Sequence, residues 1–247
     1  MKFQIAGGSI AGRDHRHPLN PHNNKDAFAW RTSEGATAIV VADGCSSGSH
    51  NEVGAKLGAR LMVEALLRQW RRSPDSADIL LEQAMQDLLA QIRVLAHAMG
   101  GSFSETIGDC FLFTLGGAVL TEDRSLVFSV GDPLIIVNGD VVRSGGYPGN
   151  EPPYPAYALL GDEPEMNRQV VSGVESVLIG TDGAEDFRAA EGAHVGTALI
   201  GPISQFWTQE QYFANPDSVR RTLALAAAAA GSPLHDDTTL VVARRWS

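Results

Sequence analysis

A chain of 247 residues, 44% hydrophobic and with modest aromatic content, has the composition of a folded protein with a sizeable core rather than a disordered one. Its formal net charge of −10 argues against a nucleic-acid phosphate backbone as partner, which needs clustered Lys and Arg, and no run of about 18–20 apolar residues offers a membrane span. Cys45 and Cys110 alone cannot make a disulfide framework, and Met1-Lys2-Phe3-Gln4 lacks the apolar run of a secretory signal, so a cytoplasmic protein is expected.

Residues 3–12 predict an opening strand that frays into a loop, and residues 13–25, rich in His, Asn and Pro, read as an exposed loop. Strands follow at 27–30 and 36–42, joined through Ser33-Glu34-Gly35, which would let Asp26 face Asp43 across a hairpin. The second of them, Ala38-Ile39-Val40-Val41-Ala42-Asp43-Gly44, is an apolar run ending in an acid and a glycine: a buried strand that carries a carboxylate to its tip. Asp-Gly alone also makes ordinary turns. Cys45 follows this tip, with no nearby His-plus-orienter arrangement to make it a nucleophile.

From Asn51, the residues Val53, Leu57, Leu61, Leu66 and Leu67 recur near helical spacing to Arg71, while Gly54, Ala55, Gly58 and Ala59 form a small flank suited to close packing. After Ser73-Pro74-Asp75, a second helix at 77–99 carries Leu80, Leu81, Ala84, Leu88, Ile92 and Leu95 on one face. Residues 100–108, rich in Gly and Ser, read as a loop. Short strands at 110–120, 126–130, 134–137 and 141–143 read as an antiparallel meander. Residues 145–161, dense in Pro, Tyr and Gly, read as an irregular surface flap of functional character.

Strands at 169–171 and 176–179 come next, the latter ending in Gly180-Thr181-Asp182-Gly183. An apolar helical segment is expected within 195–213, and a helix at 217–230 is capped by Asp217 or Ser218 and ended by Gly231. Leu234-His235-Asp236-Asp237 precedes a last strand at 238–243. Acids at 43, 182 and 236 must meet if they act together, which folds the termini onto the middle and makes residues 1–247 one domain.

Hard divalent cations take oxygen ligands, and Asp26, Asp43, Asp182 and Asp236, with the Gly44 carbonyl, would form a shell for magnesium or manganese. Zinc is disfavoured, because the cysteines are far apart and His15, His17 and His22 lack a matching partner pair. Two such cations sharing a carboxylate suit in-line hydrolysis of a phosphate ester.

Five motifs in register resemble those of the metal-dependent protein serine/threonine phosphatases of type 2C, particularly their compact bacterial branch. They are Asn24-Lys25-Asp26-Ala27, Val41-Ala42-Asp43-Gly44, Val130-Gly131-Asp132, Gly180-Thr181-Asp182-Gly183 with Asp186, and Asp236-Asp237-Thr238-Thr239. The resemblance implies an α+β fold: a four-layer α-β-β-α sandwich of two mainly antiparallel sheets flanked by helices. It implies that Asp43 bridges two metal ions (Mn2+ or Mg2+), Gly44 lends its carbonyl, Asp182 and Asp236 complete one shell, and Asp26 holds metal-bound water. Asp132 and Asp186 match positions linked to a third ion, and the bridging water attacks phosphorus with no phosphoenzyme.

The implied activity is hydrolysis of phosphoserine and phosphothreonine in proteins, opposing a serine/threonine kinase or acting on its targets in bacterial signalling. The chain is expected to work as a monomer, with no nucleic-acid or membrane partner. Three departures stand out. Pro21 lies where the family has a phosphate-gripping arginine, which leaves Arg13, Arg16 and His15, with His22, to supply that grip. Lys25 replaces an acidic or amide residue, and Asp237 an asparagine. A phosphatase-like regulatory domain without turnover and a hydrolase of small phosphate esters are the rival readings.

Overall fold

The strand Ala36–Gly44 shows why the molecule is layered. Alternate residues of a strand point to opposite faces, and both faces here are apolar. Ala38, Val40 and Ala42 enter one core, whereas Ile39 and Val41 enter another. Such a strand needs a layer above it and a layer below. The computed structural model describes residues 2–16, 23–33, 35–73, 76–147, 151–195, 198–228 and 232–246. His17, Pro21, His22, Glu34, Pro74, Asp75 and Gly231 lie outside these, as do residues 148–150 of the expected flap, the expected end of the last helix and the Arg16 side chain.

In chain order the elements are β1 (Lys2–Ile10), β2 (Asp26–Ser33), β3 (Ala36–Gly44), α1 (Asn51–Arg72), α2 (Ala77–Met99), α3 (Phe103–Cys110), β4 (Phe113–Leu120), β5 (Arg124–Val130), β6 (Leu134–Val137) and β7 (Asp140–Arg143). They continue with β8 (Asn167–Ser172), β9 (Ser176–Gly180), α4 (Gly183–Ala189), β10 (His194–Val195), β11 (Ala198–Leu199), α5 (Gln205–Thr208), α6 (Gln211–Ala214), α7 (Ser218–Ala228) and β12 (Thr238–Trp246). One five-stranded sheet runs β2-β3-β4-β5-β8 and the other β1-β12-β9-β6-β7, each antiparallel throughout. Among the described residues, three apolar cores separate the layers. The first lies between α1, α2 and the β3 sheet, the second between the two sheets, and the third between the β12 sheet and α4 to α7. This is the expected α-β-β-α sandwich.

Pairing, which periodicity does not encode, accounts for the main correction. The strands at 113–143 are not one meander: β4 and β5 belong to one sheet, β6 and β7 to the other. The chain changes sheet at Gly131-Asp132-Pro133, where Gly131 takes φ +92 and an added Cβ would meet the Thr114 side chain at 2.7 Å. Asp132 is thereby left at the seam between the sheets. Residues 100–108 are not a plain loop either, since α3 forms there. Its Phe103, Ile107 and Cys110 share one face at helical spacing, and Phe103 stacks on His97 with ring centroids 4.6 Å apart. Within 195–213, the described residues include one side of the antiparallel pair β10–β11 and two one-turn helices that bury Phe206 and Tyr212.

In α1 the small flank, not Val53, faces the sheet; Val53 is 43% exposed. A Cβ at Gly54 would lie 2.0 Å from the Cys110 carbonyl oxygen, and one at Gly58 2.3 Å from the Phe113 ring. Among the described residues, no helix is long and apolar enough to cross a membrane.

Gly54→Ala is expected to destabilise the protein by about 1–3 kcal/mol through overpacking. Gly108→Ala, in α3 with nothing within 4 Å of the added carbon, is expected to stabilise it by about 0.4–1 kcal/mol. Urea unfolding midpoints of the two variants should move in opposite directions.

Candidate metal centre

The hairpin β2–β3 sets Asp26 directly opposite Asp43. Because Ile39 and Val41 face the space between the sheets, the strand period carries Asp43 onto that same face. On β9, Val177 and Ile179 face inward by the same rule, and Thr181 continues their row. The Thr181 hydroxyl donates to Asp26 Oδ2 at 2.7 Å. Asp26 is 3% exposed, and its other oxygen, Oδ1, finds no hydrogen-bond partner among the described residues. Asp182 precedes the first turn of α4. Asp236 enters from the turn before β12, the strand that pairs with both β1 and β9.

These acids converge at one end of the sandwich, on a cleft of about 920 Å³ whose lining includes Asp43, Gly44, Asp132, Asp182, Asp236 and His15. Tyr147, Tyr154 and Tyr157, with Pro152, Pro153 and Pro164, also line it. The flap therefore borders the site, though it is more regular than expected: Pro155–Leu159 is a short 3-10 helix, and Tyr154 is buried. Asp186 lies on α4, is not part of the cleft lining, and accepts a hydrogen bond from the His235 backbone.

Packing like charges together is costly, and it shows in the protonation of the acids. Burial, then Asp237, pushes the Asp26 carboxyl well up against the pull of the Thr181 hydroxyl. Burial, then Asp26, Asp182 and Asp236, does the same to Asp43. Asp182 is pushed up to about 7 by burial, then Asp236 and Asp132. Asp132 is also raised by burial, with Arg143 opposing. A cluster of oxygen donors that resists ionisation unaided, with one buried carboxylate oxygen unpartnered, is a donor set suited to a hard divalent cation.

The approach to the site departs from the sequence reading. Lys25 is 6% exposed rather than part of an exposed loop, and its ammonium donates to the carbonyls of Cys45, Ser46 and Gly48 at 3.3, 3.0 and 2.6 Å. Asp237, 2% exposed, accepts from the amides of Gly12 (2.9 Å) and Lys25 (2.7 Å). That bond needs Gly12, where an added Cβ would come within 2.3 Å of the Asp236 carbonyl carbon. Arg13 is bound to Asp14, the Ser232 carbonyl and His235 and does not line the cleft, so the geometry does not support it as the phosphate grip. His15 does line the cleft, against Asp236 and Asp237. Sequence reasoning missed Thr181, the Asn51 side chain that ties Cys45 to Leu112, and the acids Glu151, Asp162, Glu163 and Glu165 of the cleft rim. The rim acids carried a signal, as charges beside prolines, and so did Thr181, which lies within the Gly180-Thr181-Asp182-Gly183 motif. Cys45 Sγ lies 3.0 Å from Ser47 Oγ, a hydroxyl contact and not a nucleophile–base pair.

A family model for protein phosphatase 2C matches residues 11–226, and the chain belongs to that family. The solved structures it resembles include an S. agalactiae serine/threonine phosphatase, 15% identical with a TM-score of 0.63, covering 99% of this chain and 100% of that one. A Staphylococcus aureus serine/threonine phosphatase is 12% identical with a TM-score of 0.59, covering 100% and 96%. A C. elegans sex determining protein is 12% identical with a TM-score of 0.58, covering 99% of this chain but 65% of that one. At such identities the likeness is one of fold. Comparison with the curated proteins gives no match.

Two predictions follow from the local chemistry. A carboxyl whose folded pKa lies above its unfolded value stabilises the fold when protonated. The contribution is complete below the ordinary carboxylate range and is lost as pH rises through the folded value, about 7 for Asp182. In chelator, the melting temperature should therefore fall between pH 5 and 8, and Asp182→Asn should flatten that fall and melt higher than wild type at pH 8. Separately, Asp237→Ala strands two buried amides and should cost about 1–3 kcal/mol for each. Asp237→Asn keeps one acceptor oxygen and should cost less in urea unfolding.

Proposed function

We propose that the chain is a single-domain, cytoplasmic protein phosphatase that hydrolyses phosphoserine and phosphothreonine in proteins with two manganese or magnesium ions. One observation carries the reading: Asp26, Asp43, Asp182 and Asp236 converge as mutually repelling carboxylates beside an open cleft that no Lys or Arg lines among the described residues. In this reading Asp43, Asp182, Asp236 and the Gly44 carbonyl would hold the ions, and Asp26 would hold metal-bound water. Asp132 and Asp186 belong to a weaker third site. Bound cations would supply a nucleophile at neutral pH and neutralise the phosphoryl oxygens.

The chain's own groups do the remaining work. Thr181 fixes the rotation of the Asp26 carboxylate through its 2.7 Å bond. Lys25 holds residues 45–48, so that the Gly44 carbonyl is presented from a braced turn. With its ammonium taken up by carbonyls, Lys25 lends no support to a regulatory domain in which it substitutes for a metal. With Arg13 bound away from the cleft, Arg16 and His15 are the groups of this chain that would grip the phosphate beside the cations. Glu151, Asp162, Glu163 and Glu165 along the rim favour basic residues beside the phosphorylated side chain over acidic ones.

Purified protein with manganese is expected to hydrolyse an aryl phosphate, and Asp43→Asn or Asp182→Asn should lower kcat by at least about a hundredfold. No hydrolysis of aryl phosphate or phosphopeptide by the wild type would end the enzyme reading. Phosphopeptides with flanking Arg or Lys should show higher kcat/KM than acidic ones and than small phosphate esters. The reverse order would favour a small-ester hydrolase.

A further inference from the structure

His15 stands among acids that treat its two ring nitrogens differently. Nδ1 lies 2.9 Å from Asp237 Oδ1, and Nε2 lies 3.7 Å from Asp236 Oδ1. Ligand atoms of the three residues all fall within 4.8 Å of one another. Asp237 is committed: its side chain is 3% exposed, and its oxygens already accept the amides of Gly12 and Lys25. Asp236, with 48% of its side chain exposed, opens onto the cleft. A carboxylate close to one imidazole nitrogen and a second carboxylate near the other place a histidine for metal binding by charge and proximity, without a hydrogen bond between Nδ1 and Asp237 in this structure. Two donors that share one cation through bonds of about 2.1 Å must lie within about 4.2 Å of each other, and the pair meets that limit.

We propose that His15 is a nitrogen ligand to the cation held by Asp236, with Asp237 as its orienting carboxylate. The centre thereby accepts imidazole-favouring cations of the zinc and cobalt class, and not only magnesium or manganese. This reverses the sequence expectation that His15 has no partner for such a metal, and it rests on the reading of Asp236 as a metal ligand. The second donor is supplied by a residue more than two hundred positions away, which spacing within the loop does not reveal.

The test is metal binding by the metal-free full chain, followed by calorimetry with Zn2+ and with Mg2+ and by the visible absorption of added Co2+. Wild type, His15→Ala and His15→Gln are compared, with folding checked by circular dichroism. His15→Gln keeps a polar group beside Asp237 should His15→Ala fail to fold. Both substitutions are expected to weaken Zn2+ binding by at least about tenfold and to shift the Co2+ bands, and to leave Mg2+ affinity within about twofold. Equal Zn2+ affinity in all three proteins overturns the proposal. A parallel loss of Zn2+ and Mg2+ also overturns it, since that marks a structural role for His15. Asp43→Asn separates the two readings: loss of manganese-dependent hydrolysis there leaves the phosphatase reading standing even if His15 proves irrelevant to zinc.

Discussion

Asp26 and Asp43 are direct partners across an antiparallel ladder, on the face turned towards the second sheet, and like charges so placed repel. Asp182 and Asp236 add to the repulsion from two further elements. Such a cluster persists only if the backbone beneath it cannot relax. The ladder of β2, β3 and β4 and the apolar packing of Ile39, Val41, Ile179 and Val241 between the sheets provide that rigidity. The stability of the sandwich thus sustains a site that is unfavourable until protons or cations compensate it.

The same constraint explains how the termini meet. β12 lies between β1 and β9, so the turn before it carries Asp236 and Asp237 to the cleft while the end of β1 passes alongside. Asp237 then binds the amides of Gly12 and Lys25, stapling both ends of the segment between β1 and β2 to the last strand. Lys25 extends the brace to residues 45–48 through three carbonyls. What looks in the sequence like two departures from the family pattern is, in the fold, one connected support running beneath the acidic cluster.

The two long helices, most strands and the principal acids were legible because each is a local pattern. Leu80, Leu81, Leu88 and Ile92 mark a helix face by spacing alone, and residues 36–44 mark a strand by their β-branched run. The partition of β4 to β7 between two sheets was not legible, since alternation does not say which strand pairs with which. Nor was α3, where Gly and Ser concealed a helix held by Phe103 and Ile107. The burial of Lys25 was hidden for another reason: a lysine is expected at the surface, and the carbonyls that receive it lie beyond β3.

The amino-acid sequence by itself determined the long helices, most strands, the acidic motifs at strand ends and, through those motifs, the family, because each is a pattern of residues close together in the chain. Only the tertiary structure decided that Arg13 is bound away from the cleft, that His15 stands between Asp236 and Asp237, and that an acidic rim borders the site. Those outcomes depend on contacts between segments distant in the chain. They are set by how the sheets stack and by where β12 inserts, not by any spacing along the polypeptide.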